Sequence, residues 1–311
     1  MKIHHDLTTV GTIHQPVITI GSFDGVHLGH CEILRQLVDV AKQKNGESVV
    51  ISFYPHPRHV LQPSAEHVKL LNTPEEKAKQ LEQAGIDHLV IVPFTTAFAE
   101  VSGTEYVESF LIQHFHPHTL IVGHDHQFGN NRTGNYSLLE QYAEKGIFQL
   151  IEISPKLLKD VTISSTQIRH RLLNGEIEVA NALLGYHYTF IGQVVHGSQT
   201  GRKIGFPTAN IKISYTHKLT PGNGVYAVLV NWQGHKYKGM MNLGARPTFD
   251  DQKSTIEVNI FDFNADLYGE LLSIECVARI RDIEKFSGIE PLVEQLQLDK
   301  KTALGLLSCF I

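Results

Sequence analysis

Two histidines three residues apart, His27 and His30, close the segment Gly21-Ser22-Phe23-Asp24-Gly25-Val26-His27-Leu28-Gly29-His30. Imidazoles at that spacing on a helix project to one side, and both can face one phosphate. Gly25 and Gly29 carry no Cβ, so a bulky anion can approach the backbone there. A helix that begins at this point adds unpaired N–H groups and the positive end of its dipole. A glycine turn alone says little. The combined pattern G-x-F-D-G-x-H-x-G-H, with Phe23 and Asp24 inside the turn, is specific enough to point to phosphate chemistry.

A second set of donors lies at 163–169, I-S-S-T-Q-I-R. Ser164 and Gln167 have capping-box spacing, so a helix starts there. Ser165, Thr166, the helix-end amides and Arg169 offer hydroxyl, N–H and guanidinium donors to a phosphate chain. A third set is 201–210, G-R-K-I-G-F-P-T-A-N. Gly201 and Gly205 permit close backbone approach, and Lys203 gives a cation. Thr208 and Asn210 face one side of an extended chain, where a hydroxyl and an amide oxygen suit Mg²⁺ and phosphate oxygens. On its own this stretch is equally a polar β-turn, and it is no P-loop, because G-K-[ST] is missing.

The elements that carry these residues follow from the apolar pattern. Val17-Ile18-Thr19-Ile20 reads as a buried strand, and from Leu28 to Ala41 the apolar residues recur at helical spacing. The first donor set therefore stands on a strand–turn–helix unit. Further strands are expected at 48–53, 88–92, 120–123 and 148–153. Helices are expected from the capping box at Thr73 to Ala84 and from Ser102 through Phe115. Strands alternating with helices mean a parallel sheet covered on both faces. The loop with His56, after the second strand, and the polar loop 123–135 lie at strand ends, where such sheets bind ligands. A helix from the Ser164 capping box to Asn174-Gly175 and another at 177–184 follow. From Tyr188 the texture changes to short β-rich runs at 189–195, 224–230, 237–241, 255–263 and 272–280, spaced as in a small antiparallel barrel. A helical pattern returns at 287–298. The expected domains are 1–186 and 187–311.

At 311 residues the chain exceeds the usual single domain. A formal net charge of −5 argues against a globally basic nucleic-acid binder. The three cysteines form no C-x-x-C pair, so neither a disulfide framework nor a thiolate zinc site is indicated. The first ten residues lack the apolar core of a signal peptide, and no apolar run nears the ~20 residues that span a bilayer. The expectation is a cytoplasmic protein with no membrane partner. The sequence leaves its oligomeric state open. The 19 histidines are scattered; His124 and His126 with Asp125 lack an H-E-x-x-H frame for a transition metal.

The H-x-G-H pattern, with Phe23 and Asp24, resembles the nucleotidylyltransferase superfamily, and within it the bacterial bifunctional riboflavin kinase/FAD synthetases. The I-S-S-T-x-I-R stretch is similar to the superfamily motif that holds ATP phosphates. In the second half P-T-A-N, Gly224-Val225-Tyr226, the run 242–249 and Glu257 through Leu267-Tyr268-Gly269 closely resemble the riboflavin kinase module, in the same order. The resemblance implies a Rossmann-like adenylyltransferase domain followed by a riboflavin kinase-like barrel with a terminal helix. It implies ATP, riboflavin and FMN as substrates and Mg²⁺ as cofactor. It places Gly21, Phe23, Asp24, Gly29, Ser164, Ser165, Thr166, Gly201, Lys203 and Gly205 at nucleotides. His56, Asp125, Phe128 and Arg132 fall to the flavin, Thr208 and Asn210 to the metal. His27, His30 and Arg169 would stabilise adenylyl transfer, and Glu257 would take the proton from the ribityl hydroxyl. Two positions depart from the family pattern, His126 in place of an aromatic and Asn259 in place of a frequent histidine. Arg246 is left unassigned.

Overall fold

A computed structural model describes residues 1–61, 68–123, 126–153, 163–197, 199–245 and 254–310. The chain divides into two compact units, Met1–Ser164 and Ser165–Ile311.

In the first unit six parallel strands form one sheet in the order β1-β4-β3-β2-β5-β6. They are β1 (Lys2–His4), β2 (Val17–Ile20), β3 (Ser48–Tyr54), β4 (His88–Pro93), β5 (Thr119–Gly123) and β6 (Gln149–Ile153). The apolar runs are nearly continuous because both faces are covered. Ile18, Ile20, Ile51, Val90 and Val122 pack on one side with Phe110 and Leu139. Val17, Val50, Leu89 and Ile121 pack on the other against Leu34 and Leu37 of α1 (Leu28–Gln43) and Leu81 of α3 (Pro74–Gln83). Between those two helices α2 (Pro57–Leu61) is one short turn after β3. The predicted capping box is present: Thr73 accepts from Glu76 N–H, and Glu76 accepts in return from Thr73 N–H. Beyond α4 (Thr96–Ala99), the helix over 103–115, α5, departs from the simple expectation, because its middle, Tyr106–Ile112, is π-helical. The helix α6 (Tyr136–Glu144), capped by Asn135, was not anticipated, and nor was the three-residue edge strand β1.

The second unit opens with α7 (Ser165–Leu173) and α8 (Ile177–Leu184). Six antiparallel strands then close into a barrel in the order β10-β11-β8-β7-β12-β9. They are β7 (Tyr188–Val195), β8 (Ala209–Lys212), β9 (Gly224–Trp232), β10 (His235–Ala245), β11 (Ser254–Ile260) and β12 (Leu271–Arg281). The short helix α9 (Thr200–Lys203) precedes β8, and the terminal helix α10 (Ile289–Leu306) packs Ala303 against Ala227, Leu229 and Met240 of the barrel. Five of these strands lie where the sequence pattern expects them. The sixth, β8, is hidden in the polar P-T-A-N stretch, and it is the strand that closes the barrel between β7 and β11.

Candidate active sites

The strand order of the first unit reverses at β2, whose neighbours are β3 and β5. Such a switch point leaves a crevice at the carboxyl ends of the strands. A cavity of about 540 Å³ opens there, walled by Ile20, Gly21, Ser22, Phe23, His30, Gly123, His126 and Arg132 among others. The turn that joins β2 to α1 is tightly wound, with Phe23, Gly25 and Val26 all at positive φ (45°, 89° and 36°). For phenylalanine and a β-branched valine that backbone is costly, and it is held by packing. Phe23 is 4% exposed, and its ring lies 3.1 Å from where a Cβ on Gly21 would stand. Asp24 faces away from solvent, with Oδ1 accepting from the N–H groups of Leu71 (2.9 Å) and Asn72 (3.3 Å). The carboxylate thus pins the turn to the chain just ahead of α3.

His27 is the N-cap of α1, its Nδ1 accepting from His30 N–H at 3.3 Å. A neutral ring that accepts at Nδ1 carries its proton on Nε2. The rings of His27 and His30 stack with centroids 3.7 Å apart. Burial, partly offset by Asp24, lowers the His27 pKa to about 4. Burial also drives His30 well below its ordinary value, with His27 and Lys77 acting the same way. Both imidazoles are therefore neutral near pH 7. His30 Nδ1 is buried with no hydrogen-bond partner among the described residues, a polar atom left to be satisfied from the cavity side.

The remaining predicted residues of this unit divide. Arg132 is exposed on the cavity wall, at φ 58°. Gly29 lies in the first turn of α1. Phe128 is a packing residue, its ring against Tyr106 and filling the space over Gly134, where a Cβ would come within 2.2 Å. His56 receives Arg58 N–H at the start of α2 and is not among the cavity walls. His126 stands on the wall 5.6 Å from the Phe128 ring. Asp125, and His124 beside it, lie outside the described residues. Ser164 ends the first unit; Ser165, Thr166 and Arg169 stand on α7 in the second.

In the second unit a cavity of about 900 Å³ is walled by Gly201, Phe206, Thr208, Met240, Asn242, Glu257, Asn259 and residues of α10. Strand register brings its polar groups together. Glu257 on β11 is paired directly with Asn210 on β8 and with Asn242 on β10. Directly opposed residues share one face of a sheet, so the carboxylate stands between two amides. Gly201 lies close to Phe206 and Thr208: a Cβ there would lie 2.3 Å from Phe206 O and 3.3 Å from Thr208 Oγ1. A Cβ on Gly197 would strike the Asn210 amide at 2.2 Å. Gly205 takes φ 82°, and Lys203 is exposed at the end of α9. Asn259 is 6% exposed and donates from Nδ2 to Pro207 O at 2.6 Å, bracing the P-T-A-N loop. Residues 246–249, with Arg246, lie outside the described residues.

Several residues of these sites escape a reading by motif. Asn242 is one: it opens the run 242–249, but its place beside Glu257 shows only through strand register. Asp299 of α10 is another, 1% exposed and bidentate to Arg281 of β12 at 2.9 and 2.8 Å, on the cavity wall. Its signal is a carboxylate on the buried side of an otherwise apolar helix face. Among the described residues no cluster of three or more His, Cys, Asp or Glu is arranged to hold a metal ion. The hydroxyl, amide and carboxylate oxygens of Thr208, Asn210 and Glu257 are instead a hard-oxygen set, and the missing Cβ of Gly201 leaves room beside Thr208.

Comparison with known proteins covers both units. Residues 11–167 match the FAD synthetase family and residues 184–307 the riboflavin kinase family. A bifunctional riboflavin kinase/FMN adenylyltransferase of Listeria monocytogenes is 40% identical over 96% of this chain and 95% of its own length. The protein of the same name from Bacillus subtilis is 38% identical over 93% of this chain and 91% of its own. A crystal structure of a Streptococcus pneumoniae protein, named a macrolide-efflux protein, superposes with a TM-score of 0.86 at 32% identity, over 97% of this chain and 98% of that one. Among the described residues of the present chain, no helix is long and apolar enough to cross a membrane.

Proposed function

The chain belongs to the bifunctional riboflavin kinase/FMN adenylyltransferase family, and on that premise we propose how its residues divide the two reactions. It phosphorylates riboflavin to FMN with ATP and adenylylates FMN with a second ATP, releasing pyrophosphate. Glu257 accepts the proton of the ribityl 5′-hydroxyl while that oxygen attacks the γ-phosphorus of ATP. The bond from γ-phosphorus to the bridging oxygen breaks, and ADP leaves. Asn210 and Asn242 flank the carboxylate and hold it toward the hydroxyl, as a general base requires. The observation that carries this reading is the register pairing of Glu257 with Asn210. Thr208 and Asn210 would hold Mg²⁺, which neutralises charge on the ATP phosphates when bound. Lys203, with Gly201 and Gly205, serves the nucleotide in the same cavity.

In adenylyl transfer an FMN phosphate oxygen attacks the α-phosphorus of ATP in line, and pyrophosphate departs. Catalysis of such a step is mainly positioning and stabilisation of charge on the phosphoryl oxygens. His27 and His30 donate as neutral imidazoles, with Nε2–H of His27 turned from its cap. Gly21, Phe23, Asp24 and Gly29 shape the turn that receives the nucleotide. Ser164, Ser165, Thr166 and Arg169 hold the polyphosphate. Arg132 serves the flavin phosphate, with His56, Asp125 and Phe128 supporting the flavin side. We keep the functional boundary at 186/187, close to residue 184, where the riboflavin kinase match begins. Both reactions belong in the cytoplasm, which supplies ATP and keeps thiols such as the free Cys31, Cys276 and Cys309 reduced, and neither needs a nucleic acid.

The test is a time course with riboflavin, ATP and Mg²⁺, the flavins resolved chromatographically. FMN should appear first and FAD after it. FMN without FAD would remove the adenylyltransferase reading. FAD from supplied FMN with no conversion of riboflavin would reduce the barrel to a binding module.

A further inference from the structure

Neutral histidines leave the phosphate turn short of charge. Adenylyl transfer brings ATP and FMN phosphates to one place, and the pair at the start of α1 offers N–H donors but no formal positive charge near pH 7. A candidate linked to the turn through β3 is Lys77 of α3. Its Nζ donates to Ser52 Oγ at 3.1 Å, and Ser52, 1% exposed on β3, donates in turn to Ser22 O of the turn at 3.4 Å. That neutral hydroxyl is the one hydrogen-bond partner of the Lys77 ammonium among the described residues, so two of its three donors remain unused. The Asp24 carboxylate acts on it only at longer range, its Oδ1 being engaged with Leu71 and Asn72. The groups that face Lys77 are thus Asp24 from the turn, His30 from α1 and Ser52 from β3. Taking an ammonium out of water without a close counter-ion is costly, and here the cost lowers its pKa to about 8. A cation kept under such conditions beside a phosphate turn is suited to receive an anion.

We propose that Lys77 is a positioning residue for adenylyl transfer: its ammonium, anchored on Ser52 behind the phosphate turn, supplies the positive charge against which the polyphosphate settles over His27 and His30. This rests on the assignment of the turn to adenylyl transfer. Lys77 acts through the field and through the Ser52–Ser22 link, without being one of the cavity walls.

The experiment compares FAD formation from FMN and riboflavin phosphorylation on the same full-length protein, from pH 6 to 10. In the wild type, kcat/KM for adenylylation falls above about pH 8, as Lys77 loses its proton, and riboflavin phosphorylation does not share that fall. Lys77→Arg removes the fall, because a guanidinium stays charged throughout. Lys77→Met lowers adenylylation at pH 7 by roughly 100-fold and leaves riboflavin phosphorylation within twofold. An active Lys77→Met protein, or the same alkaline fall in Lys77→Arg as in the wild type, overturns the proposal. If Lys77→Met misfolds and loses both activities, the ratio of pH 9 to pH 7 rates in Lys77→Arg still decides. His30→Ala separates the two levels: if it leaves FAD formation intact, the turn itself is misassigned, whereas its loss beside an active Lys77→Met overturns Lys77 alone.

Discussion

A histidine that caps a helix with Nδ1 cannot also be protonated there. His27 therefore links the chemistry of the turn to its stability. Its folded pKa, about 4, lies below the ordinary 6.5. Between those values the unfolded chain binds a proton that the folded one does not, so stability is full above pH 6.5 and is lost as pH falls toward 4. The difference is on the order of 3 kcal/mol. We predict that the Tm of the first unit drops across that window and that His27→Asn, which keeps a capping acceptor but cannot titrate, flattens the drop. The same variant should lose FAD formation. For the barrel, Glu257→Gln keeps the shape between Asn210 and Asn242 and removes the base. Riboflavin phosphorylation should fall by roughly 100-fold or more, with FAD formation from supplied FMN unchanged; equal loss of both would contradict the division of labour.

At the scale of elements, the positions of these residues depend on backbone that has little room. An alanine at Gly201 would place its Cβ 2.3 Å from Phe206 O, so the loop must move and Thr208 with it. A misplacement near 1 Å costs about 100-fold in rate, and Gly201→Ala should lower riboflavin phosphorylation by that order while leaving FAD formation from FMN untouched. Asp299→Ala strands the Arg281 guanidinium against α10, and should destabilise the second unit by about 3 kcal/mol, read as a lowered denaturation midpoint. Much of this architecture is legible from sequence. Apolar runs mark β2 to β6, apolar periodicity marks α1, a capping box marks α3, and the motifs select His27, His30, Thr208, Asn210 and Glu257. What was not legible has physical causes. β1 is three residues long and carries no pattern. β8 is a strand because β7 and β11 pair with it, not because its residues favour one. The π-helical turns of α5 keep a helical apolar pattern, which spacing alone does not separate from an α-helix. Lys77 looks like one of many helix lysines until Ser52 is set beside it. The departure at Asn259 likewise makes sense only once its amide is seen to brace Pro207.

For the molecule as a whole, the 540 Å³ cavity is walled by residues of the first unit and the 900 Å³ cavity by residues of the second. FMN is the product of one reaction and the substrate of the other, and it is small and freely soluble. We therefore expect a mixture of His30→Ala and Glu257→Gln proteins to convert riboflavin to FAD, although neither does so alone. The lag before FAD appears should shorten as the protein concentration rises. No FAD from the mixture would mean that the intermediate does not pass between copies. The same separation has a consequence for heredity. In a cell carrying two damaged copies of this one gene, lesions in opposite halves would rescue each other and lesions in the same half would not, so a geneticist mapping mutants by growth would score two genes where there is one.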